Sequence, residues 1–393
     1  MILGASILQL PAIEKAVDMG LRVVVLDYNP DAVGFQVPGV IFKPVSTTDI
    51  DGAIRIAKEY HIDGVLTLAT DRPIRTVAAV AKECGLIGVS EDTAIKATDK
   101  AVMRECLAAN HVPIPGFVCV NNEQDYLNFV AHIKKPFVIK PVDSSGSRGI
   151  LKIDSFSEDT VLQKAYEYAK RFSNSGGVMI EEYMTGPEVS VETMAIDGNV
   201  SAIQITDKLT TGAPYFVEMG HTQPSRLDAA TLEKIKDVAV AANKAIGITD
   251  GPSHTEIIVT EDGPKIVEIG ARLGGDCITT HLVPLSTGVD MVEACIRIAL
   301  GEKPVLHQTI AKGSAIRYFS QKRGTVKTID GIDEAGRIPG VNQIRIVHGI
   351  GEPVTDIIDS ASRMGFVIAQ GEDAADSVRI CEAAIQQIKV VIE

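Results

Sequence analysis

The 393-residue sequence predicts an α/β amino-terminal block, a larger α+β body and a small α+β carboxy-terminal block. Three patterns carry this expectation. Over 1–95, short β-type runs alternate with helical stretches, as in βαβ units that build a parallel sheet. From 96 to 300 the alternation gives way to strands joined by tight turns. After 300, two further strands precede a terminal helix.

In chain order, the first block reads as strand MILG, a helix through Gly20, strands VVVLD and VIFKP, helix DIDGAIRIAKEY and strand GVLTL. Asp27 closes its strand before the turn signal Asn29-Pro30, at the carboxyl edge where such sheets bind ligands. The body divides into subdomains of about 96–175 and 176–300. The first holds helix ATDKAVMRECLAAN, strand FVIKPV, a Ser/Gly loop and a helix near 157–172. The second holds two hairpins, EVSVETMAI with VSAIQIT around Asp197-Gly198-Asn199, and SHTEIIV with KIVEI around TEDGP. The block 301–393 places strands at GSAIRYF and VNQIRIV and a helix from about Ala374.

Composition narrows the function classes. Fifty-one acidic residues against 38 basic ones give a net charge of −13, which argues against coating nucleic acid or anionic lipid. The six cysteines form no CxxC pair and no zinc-type cluster with histidine, so a reducing, cytoplasmic setting is expected. The sequence offers neither an apolar run long enough to span a membrane nor a signal-peptide pattern.

Three elements carry chemistry. Glu256 and Glu268 flank a turn read as Thr260–Pro264, a register that sets them opposite each other, roughly 5 Å apart at Cβ. Two like charges so close call for a cation between them, and Mg²⁺ suits hard carboxylate oxygens shared with phosphates; the plain alternative is two solvated glutamates. Lys140 ends an apolar strand directly before the Ser144–Gly149 loop, where glycine lets backbone N–H groups approach a phosphate. An ordinary surface loop beside a snorkelling lysine would look the same. In VMIEEYMTGPEVSVE, an apolar strand runs into Glu181-Glu182-Tyr183-Met184 and then Glu188, suited to an adenine edge and a ribose, though acidic loops are common.

Taken in order, these elements resemble the ATP-grasp superfamily over essentially the whole chain. The resemblance implies an ATP-grasp fold with an N-terminal parallel-sheet (pre-ATP-grasp) domain and a small C-terminal α+β domain. It gives ATP-contacting roles to Lys100 in TDKAVM and to Lys140. A phosphate-covering role falls to Ser144, Ser145, Gly146, Ser147 and Gly149, and an adenine hinge to Glu181, Glu182, Tyr183 and Met184. It assigns the ribose to Glu188 and the metal to Glu256 and Glu268, with Lys208 a candidate for the γ-phosphate. Many members read Glu-x-Asn-x-Arg where this chain reads Glu268-Ile269-Gly270-Ala271-Arg272, so the third metal-site side chain is missing.

EIGARLGGDCITTHLVPLSTGVDM and FVEMGHTQPSRL look similar to the L-amino acid ligase branch and its carbamoyl-phosphate-synthase-like relatives. That resemblance puts Glu218 and His221 near a substrate amino group, and Arg272 and Gly275 near its carboxylate or acyl phosphate. It implies an ATP-dependent carboxylate–amine ligase using Mg²⁺ or Mn²⁺, with small carboxylic or amino acids as substrates and a homodimer as a possible assembly. Lys140 and Arg272 would be the catalytic pair. Two alternatives stay open: an enzyme forming carboxyphosphate from bicarbonate, and an ATP-binding regulator without ligase activity. A dinucleotide fold is disfavoured because Gly4-Ala5-Ser6 does not continue as GxGxxG. No GxxxxGK[ST], GxSxG or HExxH occurs. The resemblance puts Gly4, Ser6 and Gln9 in a substrate-side loop, and they read at least as well as simple βα-turn packing. His61, His111, His132, His307 and His348 are isolated and read as ordinary surface or core residues.

Overall fold

A computed structural model of the protein describes residues 1–133, 136–144, 148–154 and 158–393. Its amino-terminal unit is a parallel three-stranded sheet of Ile2–Leu3, Val24–Leu26 and Ile41–Lys43. Helices Leu10–Asp18, Ile50–Tyr60 and Ile74–Cys84 pack against it. The expected strand GVLTL is reduced to a single parallel bridge, Ile2 with Leu66. Beyond it the chain turns at Ala69, a non-glycine residue at φ 58°, and leaves the sheet toward the body.

The helix expected over ATDKAVMRECLAAN starts later, at Lys100–Ala109. Asp99 stops the preceding helix and caps this one, its Oδ1 accepting from the N–H groups of Ala101 and Val102. Lys100 therefore stands in a capped first turn. Its own N–H donates to the Val142 carbonyl, tying that turn to the end of the Lys140 strand.

Four antiparallel strands form a small sheet in the order Phe117–Val120, Val178–Glu182, Phe137–Pro141 and Leu151–Ile153. A second, eight-stranded sheet runs Gly263–Gly270, Gly251–Thr260, Glu188–Ile196, Asn199–Thr210, Glu218–Gln223, Gly313–Tyr318, Gly365–Gly371 and Val341–Ile346. The sheet thus continues across residue 300, with Gly313–Tyr318 pairing directly to Glu218–Gln223. One face is apolar: Val189, Val191, Ile257, Ile266 and Ile269 pack on Ile235, Ala239, Ala242 and Ile246 of the helix Ala229–Ile246. Because side chains alternate along a strand, Glu188 and Glu192 go to the other face.

Glu256 does lie opposite Glu268, but the hairpin between them is tighter than expected. Thr260 pairs with Gly263, so the turn has two residues, and a bulge between Glu256 and Ile257 restores the offset. The remaining strands, Gly324–Asp330, Pro353–Val354 and Lys389–Ile392, form a three-stranded sheet beside the helix Ala374–Gln387. Among the described residues, no helix is long and apolar enough to cross a membrane.

Candidate functional site

Lys140 and Glu181 sit on adjacent strands, Val138 facing Glu181 and Lys140 facing Met179. That diagonal offset on one face is within reach of long side chains. The result is a buried ion pair, Lys140 Nζ to Glu181 Oε2 at 2.6 Å, with Arg104 Nε donating to Glu181 Oε1 at 2.6 Å. Burial would raise the Glu181 carboxyl, but Arg104 and Lys140 outweigh it and hold the group at about 2. Lys140 is pushed down to about 8, by burial first and by Arg104 and Lys100 nearby, against the pull of Glu181. An amine so placed is a charge that an incoming anion would stabilise.

On the open face of the eight-stranded sheet, Lys208 Nζ lies 2.6 Å from Glu188, 3.2 Å from Glu256 and 3.9 Å from Glu218. One lysine serves three carboxylates, so burial is overcome and its ammonium is held well above the usual lysine range. Glu188 is raised by burial despite Lys208. Glu256 is held well below the carboxylate range, since Lys208 and His254 outweigh its burial. Lys100 Nζ meets Glu268 Oε2 at 2.6 Å. The expected lysines and glutamates thus converge as two arrays, Lys140 with Glu181, and Lys100 and Lys208 with Glu188, Glu218, Glu256 and Glu268.

Other expected residues sit elsewhere. Glu182 is exposed and faces Lys265 Nζ at 3.5 Å. The Tyr183 N–H donates to Pro136 O at 3.3 Å, and its ring lies 4.9 Å from Lys152 Nζ; Met184 is half-buried just beyond. Ser144 is half-buried, next to Asp143, whose carboxylate accepts from the N–H groups of Asn174 and Ser175. Gly149 is needed, at φ 79° with a Cβ there only 2.9 Å from Phe172. Ser145, Gly146 and Ser147 lie outside the described residues. Asp27 is buried and secures its turn, its Oδ2 accepting from Ala5 N and its Oδ1 from Asn29 N. Gln9 is buried and donates to Leu68 O, and Gly4 makes room for it.

Glu218, His221 and Arg272 each meet a residue that the sequence reading passed over. His221 Nε2 is 3.2 Å from Asp276 Oδ2, while its Nδ1 is buried without a partner among the described residues. Asp276 also takes both ends of Arg363 at 2.8 Å, and Ser360 Oγ donates to Glu218 Oε2 at 3.1 Å. Arg363 and His221 outweigh burial and hold the Asp276 carboxyl far below its usual range. Arg272 grips Asp71, and Gly275 stands beside Ala69. His254 Nδ1 meets Glu192 Oε1 at 2.6 Å and its Nε2 meets Glu256 Oε1 at 3.4 Å. Glu192 and His254 were readable in part, because EVSVE and HTE place them two or four residues from Glu188 and Glu256 on one strand face.

A model of the ATP-grasp domain matches residues 133–280, and one of the L-amino acid ligase C-terminal domain 2 matches 317–393. An uncharacterised protein of Sinorhizobium fredii is 30% identical over 353 residues, spanning 88% of this chain and 72% of its own length. The chain belongs to the ATP-grasp superfamily. Within these ligases it is 25% identical to the L-arginine-specific L-amino acid ligase of Bacillus subtilis, over 81% of this chain and 76% of that one. Its fold matches the crystal structure of an L-amino acid ligase from Bacillus licheniformis with a TM-score of 0.86 and 23% identity, covering 100% of this chain and 98% of the other.

Whether this ATP-grasp chain suits a divalent ion can be judged from its donors. Among the described residues no group of three or more His, Cys, Asp or Glu is placed to hold a metal. Glu256 and Glu268 are nonetheless adjacent and partly open, countered by Lys208 and His254 at the one and by Lys100 at the other. Two hard carboxylates without a closed cage fit an ion that arrives with a nucleotide's phosphates.

Proposed function

We propose that the chain joins two amino acids, or an amino acid and another small carboxylic acid, by activating a carboxylate with ATP as an acyl phosphate. An amine then attacks, and ADP and phosphate leave. The observation that carries the reading is the double array of lysines and carboxylates, Lys140 with Glu181 on the four-stranded sheet, and Lys100 and Lys208 with the paired Glu268 and Glu256 of the eight-stranded one. Phosphoryl transfer needs positioning and charge neutralisation more than a nucleophilic side chain. Lys140 and Lys100 neutralise phosphate oxygens, and Glu181 with Arg104 holds Lys140 in place. Glu188 would accept from ribose hydroxyls. Magnesium, held by Glu256 and Glu268, would supply further charge neutralisation at the phosphates.

Glu218 and His221 face the amine side. Arg363 fixes Asp276, which orients the His221 ring through Nε2. Arg272 presents a guanidinium suited to a carboxylate or acyl phosphate. The acidic surplus around Lys208 favours a substrate that brings an ammonium group. The arginine-specific relative has such a substrate by name.

The deciding experiment measures ADP release from MgATP across a panel of L-amino acid pairs. Release stimulated by particular pairs, and abolished in folded Lys140→Ala and Glu268→Ala proteins, is the expected result. Formation of AMP and pyrophosphate, or turnover driven by bicarbonate without any amino acid, would overturn it.

A further inference from the structure

The segment that follows the Leu66 bridge enters the catalytic face from the amino-terminal unit. Ala69 N donates to Leu273 O at 3.3 Å, which docks the loop across Arg272–Gly275. Asp71 lies two residues on, its carbonyl accepting from Ile74 N at the start of the helix Ile74–Cys84. Its carboxylate takes Arg272 Nε at 2.9 Å and Nη2 at 3.3 Å. This occupies the side edge of the guanidinium. The terminal edge, between Nη1 and Nη2, engages only Leu273 O, at 3.4 Å from Nη1, among the described residues.

Position 270 explains how the carboxylate fits. A Cβ on Gly270 would stand 2.9 Å from Asp71 Oδ1 and 3.3 Å from Arg272 Nε, the first closer than real Cβ contacts come. Gly270 has an ordinary negative φ, so backbone conformation does not demand glycine there. Its missing side chain is the room Asp71 uses.

We infer that Asp71 is a positioning residue for Arg272: it enters the space left open at Gly270, holds the guanidinium by one edge and aims the other at the substrate carboxylate. A bidentate carboxylate fixes a guanidinium in plane as well as in charge. The amino-terminal unit thereby completes a site otherwise built by the ATP-grasp sheets. The inference rests on the ligase reading for what Arg272 receives, but the pair itself is observable without turnover.

The test is a double-mutant cycle of Asp71→Ala and Gly270→Ala. Arg272 is followed by its side-chain Nε–H resonance, assigned with Arg272→Lys. In the wild-type protein that proton exchanges slowly, and either substitution abolishes the signal. With the best amino-acid pair from the panel, either change raises KM for the activated acid about tenfold while MgADP affinity, measured by calorimetry, holds within about twofold. Adding Gly270→Ala to Asp71→Ala changes KM by less than about twofold, because the colliding atom is gone. Asp71→Leu, of similar size and without an acceptor, gives the same loss of signal should an alanine variant fail to fold. A resonance that survives Asp71→Ala and Asp71→Leu, or a Gly270→Ala cost equal in both backgrounds, overturns the inference. A wild-type protein that neither binds MgADP nor releases ADP fails the ligase reading instead, and the resonance still decides the pair.

Discussion

Lys140 and Glu181 bury opposite charges together with Arg104, and removing one partner from such a set is costlier than the set is beneficial. Glu181→Gln leaves two cations, Arg104 and Lys140, facing a neutral amide in a site that is nine-tenths or more buried. We expect a loss of about 3–5 kcal/mol in urea unfolding. Lys140 also sets a pH dependence. Its folded value, about 8, lies below the usual 10.5, so the unfolded chain holds more protons between those values and this residue's contribution to stability rises with pH there. Binding runs the other way, because the ammonium that meets phosphate is lost. MgADP affinity should fall as pH rises through about 8, and Lys140→Arg should flatten that limb in calorimetric titrations from pH 7 to 10. At this scale the lysines and glutamates were legible, because strand-end lysines and paired carboxylates stand out in one dimension. Asp71, Asp276 and Arg363 were not, since each acts across 55 or more residues of sequence. A single sequence carries no signal for such pairings.

The elements aim those residues through capping and register. Asp99 caps the helix that opens with Lys100, so Asp99→Ala should cost about 1 kcal/mol in stability. It should also weaken nucleotide binding by loosening Lys100, which thermal shifts with MgADP would register. On the central sheet, His254 bridges Glu192 and Glu256, and the Glu192 carboxylate outweighs burial to raise the imidazole from 6.5 to about 9. A raised folded value means stability fully present below about 6.5 and lost as pH climbs through about 9. The wild-type advantage over His254→Gln should therefore shrink by up to about 3 kcal/mol over that window in denaturant titrations. The hairpin was read correctly at Glu256 and Glu268 but with the wrong turn. A bulge is a local backbone choice that side-chain alternation does not encode, and here it cancelled the error.

At the scale of the whole molecule, the eight-stranded sheet joins what the sequence divided at about 300. The block after about 300 reads as separate, yet Gly313–Tyr318 pairs on one side with Glu218–Gln223 and on the other with Gly365–Gly371. The sheet edge is thereby carried out to Val341–Ile346, away from the site. Periodicity reveals strands but not their partners, so the continuity could not be read beforehand. Stopping the chain after residue 300 would uncover the Glu218–Gln223 edge, with its unpaired backbone groups beside His221 and Thr222. It would also remove Arg363, whose guanidinium holds Asp276 and donates to Glu218 O. An open strand edge is a template for pairing with other chains. A 1–300 fragment should therefore aggregate, eluting in the void of a sizing column. The 393-residue Arg363→Ala protein, which keeps the sheet and loses the hold on Asp276 and Glu218 O, should instead remain folded and bind MgADP. Its KM for the amine substrate should rise by about tenfold, because His221 loses the anchored aspartate that orients it. A soluble 1–300 fragment with wild-type nucleotide affinity would show that the carboxy-terminal strands are an addition to the site, not part of its frame.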